Sequence, residues 1–486
     1  MIKKKPRLET ILEDIEAEGF ALSRRSLHYS GGSVEILYIP QLTDRVSLMD
    51  FVIKPLSRHL EQGSNTLHGL KAETVARNVL YADEYKLQTD EEEVKSLILD
   101  GKTIILFSED DEYIVVNLKK VEHRPISDPT IEYTVRGPRD CFVENLDTNL
   151  ALIRYRNKDT KLRIYQYKVG KRTQTNVALF YIEDIANSRT VSLMKQRIQS
   201  IDVDGIGESG ELEVFLQNGK RNLFPQMGVV ERSDMAQHLL NEGKVLVLVD
   251  GSGLALSAPK VFPEFFYSCD DRYDNMYFGL FMRMTRFAAF LIALYASSLY
   301  VGVTSFHMDA LPSRYVISLA EMRTKVPFPP FVGAIMLEFL VELLREALIR
   351  VPKQIGSAVG IVSAIVIGQA AISAGIFSPL LLILASASLL ASFVMPDYTL
   401  INPIRILKIF VLFSTAFLGF YGLVLFSCVI LVHLVSIESF GVPYLAPWAP
   451  FNRYDFIRTL IYNVSISPSR PKYLNVKDKT RMKNRR

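Results

Sequence analysis

From Gln354 to Pro396 the chain carries no charged side chain. A helix needs about 20 apolar residues to cross a bilayer, so this stretch has room for two passes. Ser378-Pro379 lies near its middle, and proline, with no N–H, marks a break. The pattern predicts a tight hairpin, with residues 355–376 running one way and 380–395 running back. The first arm is rich in Gly, Ala and Ser. Lipid gives helices no hydrophobic reason to associate, so small residues mark places where they pack closely.

The apolar residues, 49% of the 486, gather in the second half. Two more runs, near 287–306 and 409–437, are long enough to span, and Arg283 and Arg286 flank the first. Residues 331–350 differ. Glu338, Glu342, Arg345, Glu346 and Arg350 share one helical face and the rest is apolar. That helix reads either as a collar lying in the interface plane, its acids solvated or paired with Arg345 and Arg350, or as a cation-attracting vestibule. If it does not cross, the count is four passes. Arg345, Arg350, Lys353, Arg405 and Lys408 then fall on the outer side, against the positive-inside rule. The basic tail, 451–486, reads as cytoplasmic by the same rule. The N-terminus is basic and then amphipathic, without the apolar core of a secretory signal.

The expected fold is α+β or α/β: a cytoplasmic N-terminal region of two subdomains, 1–130 and 131–280, followed by an α-helical transmembrane domain at 281–450. Strands are predicted at 34–39, 102–107, 112–118, 162–168, 176–181, 212–218 and 244–250. The last, KVLVLVD, is apolar enough to be a central strand. Helices are predicted at 47–60, 72–81, 89–99, 182–201 and 235–242.

Candidate chemistry is sparse. A net charge of +4 gives no strong bias toward nucleic acid. Cys141, Cys269 and Cys428 are far apart and suggest neither disulfides nor a metal site. No nucleophile–base set or P-loop is recognisable, so no enzyme and no cofactor are expected. Gly205-Ile-Gly-Glu-Ser-Gly210 matches the dinucleotide pattern, but a helix is predicted before it and a strand after, the reverse of what phosphate binding needs. A plain turn is the better reading. The turn Asp250–Gly253 could hold an anion or a nutrient, though a strand-ending turn explains it as well. In an oligomer Ser357, Val362, Ser363, Val366 and Gln369 could line a narrow constriction, or pack against neighbouring helices.

Several motifs resemble those of the GerA-type spore germination proteins, specifically the receptor A subunit. Arg136-Gly137-Pro138-Arg139, with Phe142 and Glu144, is similar to the family's segment joining two soluble subdomains. Phe224-Pro225-Gln226 and Glu231-Arg232-Ser233-Asp234 resemble its FPQ…TERPD element, with Val230 for Thr and Ser233 for Pro. Glu342-Leu-Leu-Arg345-Glu346-Ala347, with Arg350, resembles its ELLREA helix. Ile367–Ala371 and Ser439–Tyr444 complete the set, and the first 120 residues match loosely.

The resemblance implies a subunit in the spore inner membrane with its N-domain and tail on the core side. It implies work beside a transporter-like B subunit and a lipoprotein C subunit. It implies self-association, as a pentamer, into a ligand-gated channel for monovalent cations. An accessory ion-release channel acting without B and C subunits, or a nutrient-binding soluble domain, are the rival readings.

Overall fold

The structure is a computed structural model of the single chain. It describes residues 23–481 apart from 30–31, 41, 63–70, 83–84, 91–92, 95–96, 99–100, 109, 119–131, 133–136, 220–221, 274, 352–364, 366–367 and 461–468. Arg136, Ser357, Val362, Ser363 and Val366 therefore lie outside the described residues, as do Glu91, Glu92, Lys95, Ser96 and Leu99 of the helix expected at 89–99.

The N-terminal half holds two five-stranded sheets. The first comprises β1 (Ser23–Tyr29), β2 (Gly32–Tyr38), β3 (Tyr85–Gln88), β4 (Thr103–Phe107) and β5 (Tyr113–Val116), in spatial order β1-β2-β4-β5-β3. Side chains alternate between its faces, as the two-residue period of a strand requires. Ile36, Ile105 and Ile114 pack under α1 (Lys54–Gln62) and α2 (Ala72–Asn78) on one face; Leu37, Ile104 and Val115 point to the other.

The second sheet comprises β6 (Leu162–Val169), β7 (Thr175–Ile182), β8 (Gly228–Val230), β9 (Val245–Val249) and β10 (Ala255–Ala258), ordered β6-β7-β9-β10-β8. The helix α3 (Leu146–Arg156) serves both sheets. Its Leu150 and Ile153 join the second core and its Ala151 the first.

The strand β9 is central and wholly buried, as its apolar run predicts. It pairs antiparallel with both neighbours. Every strand pair in the two sheets is antiparallel, so the class is α+β and the α/β alternative falls.

Two local expectations are corrected. The helix expected over 182–201 begins later, because Ile182 still belongs to β7 and Asn187 caps α4 (Ser188–Gln199) by accepting from Arg189 N. The strand expected over 212–218 is helix α5 (Ser209–Leu216), followed by a turn. Leu212 and Leu216, one helical turn apart, are buried, while Val214 between them is exposed. Further on, α6 (Ser233–Glu242) leads into β9 through Gly243. That residue has φ +95°, and a Cβ there would sit 2.4 Å from Val476 of the tail.

Among the described residues α7 (Met276–Ser305), α8 (Ser313–Arg323), α9 (Pro330–Arg350), α10 (Pro379–Phe393) and α11 (Ile401–Ser436) follow, and residues 368–373 are helical too. At 1.5 Å per residue α7 is about 45 Å long, and it carries the packing of the others. Tyr300 and Val301, near its far end, meet Ala334 and Leu337 of α9, Leu381 and Ala385 of α10, and Leu412 of α11. Tyr300 Oη and Ser378 Oγ are 2.8 Å apart at the break before α10, so the proline break falls where the uncharged run predicts it.

The run expected as one span at 409–437 is two antiparallel arms. Gly419 has φ 62° and ψ −145°, outside helical space and open to glycine. The rings of Phe410 and Phe426 stack at 6.1 Å, where a straight helix would hold them about 24 Å apart. Ile404 and Leu407 of the first arm share one core cluster with Ile430 and Leu434 of the second. The turn at Gly419 lies against Phe306 and His307, just beyond the far end of α7.

The basic tail is not free. The helix α12 (Arg453–Leu460) and residues 469–481 pack on the second sheet, where Leu474 and Val476 join its core and Lys477 N donates to Ile185 O.

Candidate functional site

The stretch from Phe224 to Asp234 lies where the second sheet meets the helices. Phe224 is buried against Phe262, Tyr444 and His433. Pro225 O accepts from Tyr444 Oη at 2.7 Å. The Gln226 amide closes a two-way bond with the Asn218 backbone, and its carbonyl accepts from Ser439 Oγ at 2.7 Å. The FPQ element is thus a clamp on the segment that leaves α11.

The next motif clamps the start of α7. Arg232 is fully buried and bidentate on Asp234, at 2.9 and 2.8 Å. Paired charge-assisted bonds fix orientation as well as position. Tyr273, two residues before the Asn275 cap of α7, donates to Asp234 at 2.7 Å. Ser233 Oγ accepts from Arg156 Nε at 2.6 Å and donates to Asp140 O. The Glu132 carboxylate accepts from the backbone N–H groups of Glu231 and Arg232, both at 3.1 Å. Burial outweighs those bonds and pushes its pKa up to about 7.

Between the clamps lies a cavity of about 480 Å³, lined among others by Glu132, Lys244, Lys260, Arg283, Asp397 and Arg458. Its charges are matched in pairs. Lys244 meets Glu264 at 2.5 Å and Lys260 meets Asp397, in the link between α10 and α11, at 3.1 Å. Burial works against the Lys260 ammonium, but Asp397 and then Glu264 more than offset it, and its pKa stands above the usual value. Glu242 is also desolvated, yet His238, Arg458 and Arg481 hold it well below the usual carboxylate range. Asp271 takes Arg283 at 3.1 Å and Arg286 at 2.7 Å.

A second charged cluster sits within the helices. Lys408 of α11 donates to buried Glu338 of α9 at 2.5 Å, and Ser297 of α7 donates to its other oxygen at 2.6 Å. Glu342 pairs with Arg405 and, at 3.4 Å, with Arg345, which also reaches Ser392 of α10. Glu346 and Arg350 form an exposed pair. Arg345 and Arg350 thus find the partners expected of them. Glu338 is buried and Glu342 half-buried, and together with Arg345 they tie four helices together. Arg405 and Lys408, three residues apart at the head of an apolar run, enter the sequence reading only through the positive-inside rule; their spacing is the signal that could have paired them with Glu342 and Glu338.

Other candidates are placed as follows. Gln369 is exposed on residues 368–373, which are helical. Gly137 lies beside the Arg232 guanidinium. Asp250 spends one oxygen on Leu146 N, the start of α3, and the other on Asn176, so it closes a turn. In the 205–210 loop Glu211 and Glu208 accept from Gly207 N and Gly210 N, the donors a phosphate would use. A helix precedes that loop and, unlike the expectation, a helix follows it.

A sequence profile described as Bacillus/Clostridium GerA spore germination protein matches residues 8–473. The chain belongs to the GerA spore germination family. Spore germination protein KA of Bacillus subtilis (strain 168) is 34% identical over 448 residues, covering 92% of this chain and 81% of that protein. GerLA of Bacillus cereus is 36% identical over 447 residues, covering 92% and 90%. YfkQ of Bacillus subtilis (strain 168), titled an uncharacterized membrane protein, is 32% identical over 418 residues, covering 86% and 80%. The N-terminal domain of the A subunit of the Bacillus megaterium germinant receptor GerK3 covers 52% of this GerA-family chain at 21% identity and a TM-score of 0.39, too low a score to fix a fold.

Proposed function

We propose that this GerA-family protein is the A subunit of a nutrient germinant receptor. In this reading it lies in the spore inner membrane beside a B-type transporter-like subunit and a C-type lipoprotein. It assembles, as a pentamer, into a ligand-gated channel for monovalent cations. Its family supports a role in germination, and a relative titled a membrane protein supports the setting.

The observation that carries the membrane part is the direction of the helices. α7 leaves the second sheet and α9 returns, since Phe331 lies by Phe413 at the far end and Glu342 by Arg405 nearer the sheet. α10 also returns, from Ser378 beside Tyr300 to Met395 in the cluster with Phe262. The arms of α11 add one leg each way. Among the described residues these make five legs, and α9 is one of them. Arg345, Arg405 and Lys408 now lie toward the sheets, as the positive-inside rule asks of a cytoplasmic sheet region. Exposed Gln369, on helical residues 368–373, is free to face a symmetry axis.

The purified protein in potassium-loaded liposomes is expected to release the ion, and Val362→Ala or Gln369→Ala to change the leak several-fold. A preparation that neither leaks nor responds to either substitution would sink the channel reading.

A further inference from the structure

We infer that the first three turns of α7 and the outer face of α12 form one anchor that sits in the phospholipid headgroup layer on the sheet side. The inference rests on the membrane reading above. The uncharged run begins at Phe287, which would place Met276–Arg286 in water. The structure turns the charges of that segment inward. Arg283 and Arg286 are buried on Asp271, and Arg283 Nη1 donates to Thr459 O at 2.7 Å and to Leu460 O at 3.2 Å. What remains outside is apolar: Tyr277, Phe278, Phe281 (65% exposed) and Met284 continue without a break into exposed Leu291 and Ile292 of the span.

The helix α12 repeats the arrangement. Asp455 takes the backbone N–H groups of Lys472 and Tyr473, and Arg458 takes Glu242, so these two charges are spent on the protein, while Arg453 stays exposed at the start of the helix, where a headgroup phosphate could meet it. Phe451 (68% exposed), Tyr454 and Ile457 face out. The Arg283 bonds hold the end of α12 level with this part of α7.

Two facts name the occupant. The stripe on α7 is continuous with the lipid-facing side of the span, so no boundary separates the two surfaces. Its outer end is aromatic, and Tyr and Phe carry amphipathic or flat rings suited to the layer between water and acyl chains. A partner protein would leave no reason for this gradation along one helix.

The test uses the full chain in phosphatidylglycerol and phosphatidylethanolamine vesicles. The chain has one tryptophan, Trp448. In a Trp448→Phe background, single tryptophans are placed by Phe281→Trp, Ile457→Trp, Leu291→Trp in the span and Tyr155→Trp on α3. Lipids brominated near the headgroup are expected to remove roughly half of the F281W and I457W emission. Lipids brominated near the chain end should quench L291W more strongly, and Y155W should be unaffected. Tyr277→Trp reads the same stripe should F281W fail to elute as a single folded species. Quenching of L291W without quenching of both anchor reporters overturns the inference alone and leaves the surface to a protein partner. Loss of L291W quenching overturns the membrane reading as well.

Discussion

Two lysine–carboxylate pairs in this molecule look alike and are set in opposite surroundings. Lys260–Asp397 borders a cavity of about 480 Å³ at the joint, and both side chains keep a little exposure, 15% and 12%. Lys408–Glu338 is sealed between helices at 8% and 4%, with Ser297 filling the remaining oxygen. A pair with water at hand can lose one member and let solvent take its place. A sealed pair cannot, because the survivor is left as a bare charge in a low dielectric. Lys260–Asp397 is therefore the pair that should tolerate loss of a partner, and Lys408–Glu338 the one that should not.

The comparison breaks first at the helices. Lys408→Met alone is expected to cost about 3–5 kcal/mol, read as a large fall in the melting temperature of the detergent-solubilised protein. Combined with Glu338→Leu it should recover most of that loss, since an apolar pair of similar volume is near neutral. A single variant that melts with the parent would erase the contrast.

Lys260→Met at the joint should cost less, about 1–2 kcal/mol, because Asp397 can recruit water from the cavity. Equal losses at the two sites would show that the cavity gives Asp397 no relief.

The smallest effect sharpens the joint itself. Glu132 binds its proton more tightly in the folded state, with pKa about 7 against the ordinary 4.5. Its contribution is therefore fully present below pH 4.5 and is lost as pH rises through about 7. Glu132→Gln should leave stability unchanged near pH 4 and raise it at pH 8, by no more than the roughly 3 kcal/mol that the full shift would give. Denaturant midpoints at the two pH values would check the sign, and an equal shift at both would refute it.

How much of this was readable beforehand varies with the physics of each element. Strand β9 was legible because a strand buried on both faces must be apolar at every position. The proline break before α10 was legible because Pro379 cannot continue a helix. The helix α5 was not: Leu212, Val214 and Leu216 alternate as a strand would, and only the neighbouring sheet decides that Val214 stays outside. The tail misled because its charges predict solvent, whereas Arg458 and Arg481 converge on Glu242, a partner more than 200 residues distant.

The site divides the same way. The motifs around Gln226 and Arg232 could be picked out by resemblance, but not that one grips the exit from α11 and the other the entry to α7. Those contacts join distant parts of the chain. The pairing of Lys408 with Glu338 needed helix directions that no local pattern supplies.

Sequence pattern by itself determined that apolar helices gather in the second half and that the first half mixes strands with helices, because hydrophobic period and run length are local quantities. Only the tertiary structure decided that α11 doubles back at Gly419, that the charges of α7 and α12 turn inward, and that both ends of the helical region meet on one sheet. Each of these depends on which surfaces come together, and burial energy belongs to the contact rather than to the residue.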